Sequence, residues 1–137
     1  MERLLNTIQD SIILLRYSND LHKDHIFNYM GENRVIFFDF DKMTREDIIH
    51  LYFACDVYMD TLYSEIDNIF DCLITSLPLV TLNNFGSPPN TKITSSLIWS
   101  LGLKYGVVNS YEEYESFVFN LLTDNGKSIL IEYKHAV

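Results

Sequence analysis

Two carboxylates stand one residue apart at the end of an apolar run in "RVIFFDFDKMTRED", Arg34 to Asp47. A buried strand ending in Asp-x-Asp delivers both groups, Asp39 and Asp41, to a sheet edge, where they could hold Mg²⁺, attack a phosphate, or begin a turn. Phosphoryl chemistry of this kind uses the first carboxylate as nucleophile and the second as acid/base, with Thr or Val two positions on. Here that position is Met43, and Thr44 comes one residue late. A second acidic pair is also needed for the metal. "DVYMD", Asp56 to Asp60, imitates one, but only one helix separates it from Asp39, and no strand between them offers a phosphate-binding hydroxyl. The reading left standing is a strand-to-helix turn whose Asp residues face water.

The other chemistry-bearing groups are sparser. "HKDH" brings His22, Asp24 and His25 together, but a third metal ligand is not evident, and a solvated helix start accounts for the trio. His50 and His135 stand alone, and there is no Gly-x-Gly-x-x-Gly, phosphate-binding loop, Cys-x-x-Cys or Gly-x-Ser-x-Gly. Cys55 and Cys72 each sit among apolar residues and read as two core thiols in a reducing compartment, so a cytoplasmic setting is expected. Tyr111, Tyr114, Phe117 and Val118 form one helical stripe and read as core packing, and Trp99 reads as a helix-face residue.

The elements that must carry these residues follow from apolar patterning. Five short runs, 12 to 17, 34 to 40, 56 to 61, 78 to 82 and 105 to 110, are continuously apolar rather than alternating, as strands covered on both faces are. Between them, 20 to 30, 45 to 55, 65 to 76 and 91 to 101 carry apolar groups at three- and four-residue intervals, for example Ile66, Ile69, Phe70, Leu73 and Leu77. Thr44 with Glu46 and Asp47 marks a helix start, Gly102 a helix end, and two further helices cover about 111 to 122 and 126 to 135. Strand and helix alternate, which predicts an α/β, Rossmann-like doubly wound parallel sheet of about five strands, with ligands at the C-terminal strand ends.

Composition bounds the partners. With 137 residues, 47% hydrophobic and 14% aromatic, the chain has the size and apolar content of a single domain over 1–137 with a real core. Its formal charge of -9 and thinly spread Lys and Arg would repel a polyanion, so neither nucleic acid nor an acidic membrane is expected as a partner. No window approaches the ~18 apolar residues of a membrane span.

From Arg34 onward the anchors form an order that points to one family. "RVIFFDF", "MTREDIIHLYFACDVYMDT", "DCLITSLPLVTL", "TKITSSLIWSLGL" and "SYEEYESFVFNLLTDNGK" together resemble the C-terminal nucleotide-binding half of the O-GlcNAc transferases and SPINDLY-type transferases, which are GT-B glycosyltransferases. The family pattern runs R-I-x-F, then a helix ending A-D-x-x-L-D-T, then Gly-His-Thr-Thr-x-x-Asp, then G-x-P-x-V-T, and later S-R-x-x-x-S-x-L-x-x-L-G. Arg34, Ile36, Phe37, Asp56, Asp60, Thr61, Asp71, Pro78, Val80 and Thr81 match it, with Lys92, Ser96, Leu101 and Gly102 offered for the last block.

The resemblance implies UDP-sugar as donor substrate, with no further cofactor and no metal, for transfer to a protein Ser/Thr hydroxyl. In the family the Gly-His-Thr-Thr segment opens a helix whose N-terminus holds the diphosphate, and the following Asp holds the ribose. The matching segment is "SEIDNIFD", which assigns Ser64, Asn68 and Asp71 to nucleotide-sugar binding, with Lys42 and Arg45 approaching from the loop after the second strand and Lys92 from the later block. Ile66 and Asp67 replace family His and Thr, and Ile48 and Leu51 replace a His and an Arg, so weak UDP binding is expected. No catalytic residue is assigned. Catalysis in a GT-B enzyme takes place between two halves, so activity is not expected of this chain alone, and a partner chain could supply the N-terminal half. The competing readings are a non-catalytic protein-interaction domain derived from that fold and, behind it, a dehalogenase-type Asp-x-Asp phosphatase.

Overall fold

A computed structural model of the chain describes residues 2–17, 19–30, 32–61, 65–83, 86, 89–103, 105–123 and 126–136. The chain divides into two compact units, Met1–Ile48 and Ile49–Val137.

The first unit is built on α1 (Glu2–Thr7), β1 (Ile13–Arg16), α2 (Asp20–Met30) and β2 (Val35–Phe38). The two strands pair in parallel, Ile13 against Val35 through Arg16 against Phe38, and α2 makes the crossover between them. Asn19 starts α2 by accepting from the His22 amide at 2.9 Å, as an Asx N-cap does. Phe27 of α2 meets Phe37 of β2 edge to face, with ring centroids 5.3 Å apart. Arg34 holds the start of β2 to the end of α1. Its guanidinium donates to the carbonyls of Leu5, Ile8 and Ser11 and to the Ser11 hydroxyl, so one cation satisfies a carbonyl of the last turn of α1 and two in the segment that follows it.

Helix α3 (Arg45–Phe53) runs across the division. It opens with the cap read from the sequence. The Thr44 Oγ1 accepts from the Asp47 amide at 3.2 Å, and Asp47 Oδ2 accepts from the Thr44 amide at 2.9 Å.

The second unit contains β3 (Tyr58–Met59), α4 (Ile66–Ile74), β4 (Leu79–Leu82), α5 (Pro89–Ser100), β5 (Val107–Val108), α6 (Tyr111–Leu122) and α7 (Lys127–Ala136). Its sheet is parallel in the order β3-β4-β5, with Tyr58 opposite Leu79 and Thr81 opposite Val107. Every residue of β4 is buried, as expected for a central strand covered on both faces. The core gathers Ile69 and Cys72 of α4, Leu79 and Val80 of β4, Ile98 of α5, Val118 and Leu121 of α6, and Tyr133 of α7. The Tyr133 hydroxyl donates to the carbonyls of Leu79 and Tyr105, each at 3.0 Å, and so ties α7 to the sheet.

The fold is thus mixed α/β with parallel pairing, and strands form in all five apolar runs. The correction concerns the sheet. Instead of one sheet of about five strands the described residues form two, of two and three strands, and β3 and β5 contribute two residues each. Apolar runs report that a segment is covered; they do not report how many of its amides find a neighbour. No helix among the described residues is long and apolar enough to cross a membrane.

Candidate functional site

Parallel pairing puts the ends of β3, β4 and β5 on one edge of the second unit, and a polar cluster lies there. Asp60 directly follows β3 and is only 5% exposed. Four atoms of the residue can accept or donate, and three are engaged. Its amide donates to Val80 O at 2.9 Å, its carbonyl accepts from the Tyr114 hydroxyl at 2.8 Å, and its Oδ2 accepts from the fully buried Thr81 hydroxyl at 2.6 Å. The last is a short bond of the charge-assisted kind. The second oxygen, Oδ1, is buried and has no hydrogen-bond partner among the described residues. Burial pushes the Tyr114 phenol well above its ordinary value, with the Asp60 carboxylate adding to the effect, so Tyr114 is a fixed proton donor.

On the same edge α6 begins with a closed cap. Ser110 Oγ accepts from the Glu113 amide at 3.1 Å, and Glu113 Oε2 accepts from the Asn109 amide at 2.8 Å. Side chains already satisfy these amides, which leaves fewer donors for a bound anion. Helix α4 differs, since Glu65 precedes it without a side-chain cap bond. Its first turn holds the exposed Ile66 and Asp67 and the half-buried Asn68.

The residues assigned from the sequence distribute over both units. In the first, Lys42 and Arg45 lie three positions apart beyond β2, and both are exposed. Lys42 Nζ pairs with Asp39 Oδ2 at 2.9 Å, and this hydrogen bond from the ammonium holds the Asp39 carboxyl below its ordinary value of 3.8. Asp41 lies 3.5 Å from Arg16, whose guanidinium sits over the Phe40 ring. Asp39 and Asp41 therefore each face a cation of their own surroundings, in a short helical turn over Phe40–Lys42. In the second unit, Asn68 and Asp71 share α4 one turn apart, and Lys92 is exposed on α5, the helix that packs on α4. Asp71 is 2% exposed and engaged within the fold. Ser64 lies outside the described residues. Among the described residues no group of three His, Cys, Asp or Glu could hold a metal ion, the "HKDH" set included.

Two further features escaped the sequence reading. Tyr114 counted there as one more aromatic of a core stripe, whereas its hydroxyl reaches the Asp60 carbonyl from 54 residues away. In α4, Ile69, Cys72 and Leu73 turn inward, while Ile66, Phe70 and Ile74 stand 42%, 46% and 65% exposed at a spacing of four. Asp67, Asn68 and Asp71 share one side of this helix, so its periodicity points Ile66, Ile69, Phe70 and Leu73 inward, whereas the structure buries Asp71 and leaves Ile66 and Phe70 exposed. Both thiols are free, with Cys72 buried and Cys55 half-buried, and burial raises the pKa of each. Compared with known proteins, the chain matches no family model and no curated sequence.

Proposed function

We propose that the chain is a nucleotide-sugar-binding domain of the O-GlcNAc-transferase type, the C-terminal, Rossmann-like half of a GT-B fold, which in a complete enzyme assists transfer from a UDP-sugar to a protein hydroxyl. One observation carries the reading. Asp60 and Thr81, two anchors of the family pattern 21 residues apart in sequence, meet in a buried hydrogen bond of 2.6 Å at the C-terminal edge of parallel strands. Matches of chance need not touch. In this proposal Asn68 and Asp71 serve the nucleotide from α4 and Lys92 from α5, all within the second unit. UDP is the ligand, and the setting is cytoplasmic.

Binding by this chain alone is weak in this proposal. Asp67 stands where a Thr would contact the diphosphate, and Asp71 is buried, so a ribose must displace what covers it. Each charge-assisted hydrogen bond lost is worth about 1.5–3 kcal/mol, and two or three such losses weaken binding by roughly two to six powers of ten. Titration of UDP followed by backbone amide shifts tests this, in the parent and in the double variant Ile66→His with Asp67→Thr. The expected result is a Kd of about 1 mM or weaker for the parent, tightening in the double variant, with shifts around α4. Tight binding by the parent would mean that the segment is misplaced, and no binding by either rejects the nucleotide reading.

A second reading is favoured by the α4 stripe. Ile66, Phe70 and Ile74 present an uncharged apolar ridge to solvent in the helix where phosphate contacts are missing, as suits a protein-interaction domain derived from the same fold. Sedimentation of the parent against Phe70→Glu separates the two. A concentration-dependent association abolished by Phe70→Glu supports self-interaction through α4, and identical monomeric behaviour removes it.

A further inference from the structure

We draw no further inference here: the strongest candidate, the Asp60 carboxylate buried at the C-terminal edge of β3, β4 and β5, has one oxygen without a hydrogen-bond donor among the described residues, but that oxygen is closed to solvent and nothing in the structure shows a ligand that could reach it.

Discussion

Replacing Thr81 by Val isolates the bond at the centre of the polar cluster. The two side chains have nearly the same shape, so the fully buried site stays filled and only the hydroxyl is lost. That hydroxyl is the one donor to the Asp60 carboxylate among the described residues, at 2.6 Å. A hydrogen bond to an ionised group contributes about 1.5–3 kcal/mol, and stranding its buried acceptor adds desolvation that water cannot repair, so the expected loss is about 2–4 kcal/mol. For a chain of this length that lowers Tm by on the order of 10 °C. Urea unfolding followed by far-UV circular dichroism and by the fluorescence of Trp99 measures it. The same substitution in an Asp60→Leu background, where no carboxylate remains to be stranded, is expected to cost under about 0.5 kcal/mol. The reasoning fails if Thr81→Val costs less than about 0.5 kcal/mol in the parent, or if its cost is the same in both backgrounds.

Four more expectations can be checked with single substitutions. Gly106 has φ +97°, and an added Cβ would lie 2.3 Å from Leu79 O and 2.5 Å from the Tyr133 hydroxyl, so Gly106→Ala should lower stability by about 3 kcal/mol or more in urea unfolding. Ser76 ends α4 with φ +53°, while the Leu77 amide bonds Cys72 O and the Ser76 amide bonds Leu73 O; Ser76→Gly should therefore stabilise by about 1 kcal/mol in the same assay. Arg34→Met removes the cation that holds the end of α1, and amide hydrogen exchange should show protection falling in α1 before it falls in β4. Lys42→Met should return the Asp39 carboxyl toward 3.8 in a carbon-detected pH titration; the pair's small contribution is complete above 3.8 and is lost as pH falls through the depressed value.

The sequence yielded local structure wherever one residue type answers one backbone demand. Thr44 and Gly102 mark helix ends because a hydroxyl cap and a left-handed residue are what those ends require, and Gly102, at φ +73°, ends α5 with the Leu103 amide bonded to Ile98 O. Ser76 does the same for α4 without the glycine that would have announced it. Apolar runs placed strands, since covering both faces leaves a compositional trace, but the division into two sheets depends on strand neighbours, which composition does not record. Asp60 and Thr81 were visible only as separate matches to a pattern. Their contact depends on the register of β3 against β4, in which the Asp60 amide meets Val80 O. The burial of Asp71 and the exposure of Phe70, one position apart on α4, depend on how that helix is rotated, and the grouping of Asp67, Asn68 and Asp71 on one side points to a different rotation from the one found.

The two tyrosine ties set an order of assembly during synthesis. Within the first unit, the bonds from Arg34 to α1 and the pairing of β1 with β2 need no residue beyond 38. The second unit needs far later residues. The Asp60 carbonyl waits for the hydroxyl of Tyr114, and the Leu79 carbonyl, at the start of the central strand, shares the hydroxyl of Tyr133; each partner lies 54 residues downstream. Until the ribosome has delivered both, β3 and β4 have apolar faces and carbonyls without their final covering, which is the condition under which nascent chains are captured by chaperones or pair wrongly. Contacts of such long sequence separation also slow closure. A stalled chain ending before residue 133 would therefore leave the second unit open.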